Sequence, residues 1–119
     1  MKIFIQPSQV FLCRDFVDFR KSINGLSQIV EEDLGLSSMS GALFVFCNKA
    51  KDKLKILYWD KTGFALWYKR LEKERFKWPS KFDSELDSEI ELTAQQLNWL
   101  LEGYSVIGHQ TLDFQSKIT

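Results

Sequence analysis

The sequence predicts an α+β domain in which an antiparallel sheet of about five strands, running as a meander, packs one face against two helices. Three observations carry that expectation. Lys53–Pro79 alternates apolar and charged residues and holds a Gly-containing turn, so it reads as hairpin-linked strands. Residues 42–47, ALFVFC, are continuously apolar, as a central strand buried on both faces would be. Residues 15–34 and 94–102 repeat apolar side chains every three or four positions, the signature of amphipathic helices. A strongly curved or barrel-like sheet is compatible with the same runs.

Taken in order, residues 2–13 read as extended; Pro7 interrupts the run, which favours an edge position or two short strands, with Val10–Cys13 the second apolar piece. Asp15 is placed to cap the first helix, whose apolar face is Phe16, Phe19, Ile23, Leu26 and Val30. Gly25 inside that helix suggests close packing on the sheet, and Gly35 ends it. After the loop at 36–41 comes the apolar strand, then a charged connection at 48–53. In the next strand Leu54, Ile56 and Tyr58 share one face, and Lys53, Lys55, Leu57 and Trp59 the other. Asp60–Gly63 is a turn with Gly63 expected at positive φ. Phe64–Arg70 returns, and Arg75–Trp78 forms a short strand stopped by Pro79. Glu89–Leu92 is a further short strand. Thr93 and Gln96 make a capping box for the second helix, which turns Leu97, Leu100 and Leu101 inward and ends at Gly103.

The 119 residues suit a single domain, 1–104, followed by a partly ordered tail at 105–119 where periodicity is lost. No apolar run reaches the ~18 residues of a membrane span, and the N-terminus lacks a signal-peptide core, so a cytoplasmic protein is expected. Cys13 and Cys47 then stay reduced. With the one histidine, His109, they make no zinc pattern, and neither metal, cofactor nor small-molecule substrate is expected.

The formal net charge of zero hides a division. Residues 47–81 hold eleven cations against four anions, +7, whereas residues 82–102 hold six acids and no cation, −6. The basic block fits phosphate. The acidic segment, with Glu85, Asp87, Glu89 and Glu91, fits a basic partner or folds back on the block. Nucleophile motifs and a phosphate-binding loop are lacking, and no Asp or Glu is followed two residues later by Lys, as a common nuclease pattern requires. Asp15 with Asp18, or Asp60 with Glu72 and Glu74, could converge on a metal, but helix capping and surface pairing explain them more economically. No catalytic residue is therefore assigned, and the chain is read as a non-enzyme.

Several blocks resemble a known family. Asp18-Phe19-Arg20-Lys21 with Gly25-Leu26 matches its Asp-x-Arg-Lys-x-x-x-Gly-Leu signature. Gly41–Phe46 with Asn48, then Lys53–Pro79 almost throughout, and finally Leu92-Thr93 and Leu100–Gly103 match its later blocks. The family is the accessory protein TnpB of the insertion sequence 66 group, distinct from the RNA-guided nuclease of the same letters. The resemblance spans about residues 10–103. It implies a protein encoded beside a DDE transposase and needed for movement of the element, and it carries over no catalytic residue. Two departures stand out: Asp15-Phe16-Val17 replaces the usual Gly-Pro-Thr, and the tail beyond Gly103 has no family motif.

The candidate nucleic-acid contacts are Arg20, Lys21, Lys53, Lys55, Lys69, Arg70, Arg75 and Lys77. For Arg20 and Lys21 a phosphate contact at a helix start competes evenly with a salt bridge to Asp15, Asp18 or an acid of the sheet. For the sheet cations the charge excess favours nucleic acid over a merely solvated face. Trp59, Trp67 and Trp78 are assigned to core packing ahead of base stacking. The expected partners are transposon DNA, and the transposase or another element-encoded accessory protein. The alternative is an adaptor that docks those proteins without touching DNA.

Overall fold

The computed structural model describes residues 9–79 and 88–106. The expectations for residues 2–8, Glu85, Asp87 and 107–119 lie outside them. Five strands, β1 (Val10–Cys13), β2 (Leu43–Cys47), β3 (Lys53–Asp60), β4 (Gly63–Arg70) and β5 (Glu89–Leu92), form one open sheet in the order β4-β3-β2-β1-β5. Helix α1 (Ile23–Gln28) runs directly into a π-helical turn (Ile29–Asp33), and α2 spans Ala94–Leu101.

The sheet is mixed, not a pure antiparallel meander. β1 and β2 are parallel, while β1–β5, β2–β3 and β3–β4 are antiparallel. The cause is connectivity: α1 lies between β1 and β2 in sequence and returns the chain to the starting end, as parallel neighbours require. Among the described residues β4 and β5 are the two ends of the sheet, which does not close.

The helices cover opposite faces, not one. Val10, Leu12, Val45, Leu54, Ile56 and Leu92 pack with Leu97, Leu100 and Leu101 of α2. Phe44, Phe46 and Leu57 pack on the other side with Leu26 and Val30. Every residue of β2 is consequently buried, and β3 divides between the faces as its alternation predicts.

Residues 15–22 are not helical. α1 begins at Ile23 after Ser22, and Asp15 does not cap it. Asp18 competes with the helix: its carboxylate accepts the Arg20 backbone N–H at 2.9 Å, and its carbonyl accepts the Lys21 N–H at 3.0 Å. The Val17 N–H donates to the Cys47 carbonyl at 2.9 Å, tying the segment to the end of β2. Phe16 is therefore exposed, not part of an apolar helix face. Gly25 faces Lys21, whose Cβ would lie 3.1 Å from an added methyl, so close packing on the sheet is not its reason. Gly35 does end the helical segment in left-handed backbone, φ 66°.

Two further local expectations change. In the β3–β4 turn Lys61, not Gly63, takes positive φ, 51°. Residues 71–79 form no strand. They are pinned instead by Phe76 and Trp78, buried in the α2-side core, and by the Phe76 N–H donating to the Lys51 carbonyl at 2.7 Å. The Trp78 indole N–H donates to the Cys13 carbonyl at 3.1 Å. At α2 the capping box forms as read: Thr93 Oγ1 accepts from the Gln96 N–H at 3.0 Å, and Gln96 Oε1 accepts from the Thr93 N–H at 2.8 Å. Val106 is buried in the same core.

Candidate nucleic-acid interface

The β2–β3 connection is a built loop. Asn48 Oδ1 accepts the backbone N–H groups of Asp52 and Lys53 at 3.1 and 3.0 Å, and its amide donates to the Asp52 carboxylate at 2.7 Å. That bond holds the Asp52 carboxyl below the usual carboxylate range. Lys49 and Lys51 project from this frame. Lys51 adopts left-handed backbone, φ 63°, at a cost of ~1–2 kcal/mol for an L-residue. Glycine would avoid that cost, so conformation alone does not account for a lysine here.

The segment after β4 lies beside the loop. Lys49, Lys51, Arg75 and Lys77 together line a groove of about 590 Å³ floored by Phe76 and Trp78. Lys49 and Ala50 also border a second, wider cleft of about 920 Å³, lined by Asp15–Arg20, Lys53 and Tyr68. Among the described residues the ion pairs are Arg20–Asp18 and Arg70–Glu72, so Lys49, Lys51, Lys53, Arg75 and Lys77 belong to none.

The cations singled out from sequence do not form one sheet face. Lys53 and Arg70 are opposite neighbours on the α1 side of the sheet. Lys55 is on that side too but is buried, 7% exposed, so it cannot join an open patch. Its Nζ donates to the carbonyls of Phe19 and Lys21 at 3.0 and 3.2 Å, and lies 4.8 Å from the Phe19 ring centre. Burial pushes its pKa down. Lys69 sits on the α2 side, where its Nζ donates to the Leu101 carbonyl at 3.0 Å and caps that helix end. Arg70 forks onto Glu72 at 2.9 and 3.1 Å.

Arg20 forks onto Asp18 with a closest approach of 2.6 Å. The guanidinium lowers the Asp18 carboxyl to about 2, and the carboxylate raises Arg20 in return. Of the two alternatives for Arg20, its charge follows the ion pair; Lys21 is exposed and in no ion pair among the described residues. Arg75 and Lys77 stand in the groove. Lys49 and Lys51 belong to the basic block of the sequence, but charge alone gives them no site. The available signal was the Asn48–Asp52 frame, whose side chains could close a turn and present two lysines.

Glu89 and Glu91 face Cys13 and Phe11 from β5, at the opposite end of the sheet from β3 and β4. Their register partners Cys13 and Phe11 pack on the α1 side, whereas the groove floor, Phe76 and Trp78, belongs to the α2-side core, and neither acid lines the groove. Asp60 and Glu72 flank opposite ends of β4 and do not converge. Among the described residues no group of three or more His, Cys, Asp or Glu side chains could hold a metal ion, and no helix is long and apolar enough to cross a membrane. Trp78 is core; Trp67 packs half-buried against the same core, and Trp59 stacks edge-on with Phe64 at 5.1 Å.

A family model described as IS66 Orf2-like protein matches residues 8–111. The chain is similar to the Uncharacterized protein y4hO of Sinorhizobium fredii (strain NBRC 101917 / NGR234), with 34% identity over 82% of each chain. It is also similar to the Uncharacterized protein y4jC of the same strain, with 37% identity over 70% of this chain and 74% of the relative. No solved structure matches.

Proposed function

The chain belongs to the IS66 Orf2-like family of insertion-sequence accessory proteins, and from that premise we propose that it assists DNA transposition as a non-catalytic factor that binds transposon DNA. The observation supporting this reading is the convergence of Lys49, Lys51, Arg75 and Lys77 on one groove, outside any ion pair among the described residues. Clustered cations repel one another. Phosphates relieve that repulsion, and the counterions they release drive binding. Lysine heads on flexible stems position a phosphate backbone and do not read bases, so the proposed contact is largely independent of sequence.

The absence of catalysis belongs to the same proposal. Incubating plasmid and single-stranded DNA with the protein in Mg²⁺ or Mn²⁺ should leave both intact; cleavage abolished by Asp60→Ala or Glu72→Ala would refute it.

A second reading, the adaptor, draws on β5. It is an end strand of the sheet among the described residues, with exposed Glu91 two residues after Glu89. A strand edge flanked by acids suits a basic protein partner. Copurifying the element-encoded proteins with and without terminal-repeat DNA separates the readings. Association with the transposase only when DNA is present supports DNA binding. Association without DNA, lost on Glu91→Lys, supports the adaptor.

A further inference from the structure

Exposed large apolar side chains among the described residues are Phe16, Met39, Tyr68 and Tyr104, and two of the four, Phe16 and Tyr68, line the same cleft. Phe16 is 42% exposed and Tyr68 50%. Neither ring is loosely held. The Phe19 ring meets Tyr68 edge-on at 6.4 Å, and Lys55 Nζ lies 5.9 Å from the Tyr68 ring centre while it anchors the Phe19 and Lys21 carbonyls. Lys51 Nζ lies 5.8 Å from the Phe16 ring centre, and the Val17 backbone is tied to Cys47. The buried lysine therefore acts on the cleft from beneath, fixing the segment that carries Phe16 relative to the strand that carries Tyr68.

Two exposed aromatic rings lining one cleft beside a cationic groove have a specific chemical complement. Duplex DNA hides its base faces in the stack and shows a protein only edges, sugars and phosphates. A single strand offers both phosphates and unstacked π faces, and proteins meet it with a basic track and aromatic platforms. This cleft has both parts. Lys49 and Lys53 line it, and Lys49 continues into the groove with Lys51, Arg75 and Lys77. The cleft wall also carries Asp15, which repels phosphate, and Asp18, whose charge Arg20 offsets. A strand must therefore run its backbone along Lys53 and Lys49 and lay its bases toward Phe16 and Tyr68. Arg20 is paired with Asp18, so its charge adds little to the track.

We propose that the cleft between residues 15–20 and β4 holds an unpaired DNA strand, with bases stacked on Phe16 and Tyr68 and phosphates led across Lys53 and Lys49 into the groove. The inference rests on the DNA-binding reading and narrows it to single-stranded or locally opened DNA, such as strand transfer exposes at an element end.

The test is fluorescence anisotropy with a labelled mixed-sequence single strand and with the blunt duplex made from it, each titrated at several salt concentrations. The proteins are wild type, Phe16→Leu, Tyr68→Leu and the double variant; leucine keeps apolar bulk and removes the π face. Wild type should bind the single strand at least tenfold more tightly than the duplex. Each leucine variant should weaken single-strand binding by about tenfold, with the salt slope and duplex affinity unchanged. Circular dichroism and thermal unfolding confirm that the variants remain folded, as expected for exposed positions. Equal binding of strand and duplex, or leucine variants that bind the single strand as wild type does, would overturn this inference and leave the general DNA-binding reading standing. Absence of binding to either DNA at low salt would overturn both.

Discussion

Truncating Phe76 probes how an irregular segment comes to present two of the groove cations. Phe76 is 1% exposed and lies in the α2-side core, although residues 71–79 belong to no strand or helix. Removing a fully buried phenyl ring leaves a cavity and costs ~3–5 kcal/mol. A 119-residue chain has on the order of 6–18 kcal/mol of stability at ~0.05–0.15 kcal/mol per residue. Phe76→Ala should therefore fold but be weakened by a sizeable fraction. With an m-value of about 2 kcal/mol/M, its urea midpoint, followed by circular dichroism, should fall by roughly 1.5–2.5 M. Trp78→Phe keeps most of the ring and deletes the indole N–H that satisfies the Cys13 carbonyl. Its cost should be smaller, ~1–3 kcal/mol, the range for a buried group left unsatisfied. A midpoint drop below about 0.5 M for Phe76→Ala, roughly 1 kcal/mol at that m-value, would refute the reasoning. The segment would then not be anchored by its aromatic residues, and the positions of Arg75 and Lys77 would need another cause.

Three other outcomes follow from the structure. The folded-state Asp18 carboxyl is depressed by Arg20 to about 2 from an ordinary 3.8, so its pairing contributes above pH 3.8 and fades as pH falls through 2; a carbon-detected NMR titration with a midpoint near 3.8 would show that the fork does not form. Burial raises the Cys13 and Cys47 thiols to about 12, so both should stay protonated and resist thiol reagents at pH 8 until the chain is unfolded; rapid native labelling of both would contradict their placement. Thr93→Ala removes the α2 cap and should cost ~1 kcal/mol by urea unfolding, a change indistinguishable from zero being the contrary result.

Much of the fold was legible because alternation and capping are local properties. The division of β3 between two faces, the burial of β2 and the Thr93–Gln96 box all follow from side-chain type and spacing. What failed was non-local or a competition between local structures. The hairpin pattern at 53–70 does not extend to the whole sheet: a strand, a helix and then a wholly apolar strand make a parallel crossover. Phe16 and Phe19 continue the helical spacing of Ile23, Leu26 and Val30, yet the Asp18 side chain captures the backbone that a helix would need. At the candidate site, charge points to Arg75 and Lys77, whereas Lys49 and Lys51 gain a site only through the Asn48–Asp52 hydrogen bonds, which the sequence shows merely as a charged connection. Lys55 shows the limit of charge counting. Its position on β3 is the one alternation predicts, but two carbonyls from residues 34 and 36 positions away take up its ammonium group.

The central claim, that the Lys49–Lys51–Arg75–Lys77 groove binds DNA phosphate, is most directly tested by the salt dependence of affinity for wild type and a Lys49→Glu/Lys77→Glu variant. Lys55 is unsuitable for such a reversal, because an acid in its buried position would report on folding. On duplex DNA each neutralised phosphate adds about 0.9 to the slope of log K against log salt. If both lysines contact phosphate, the double variant should lose roughly two units of slope, bind every sequence more weakly and unfold at the wild-type urea midpoint. A folded variant with wild-type affinity and slope would contradict the claim.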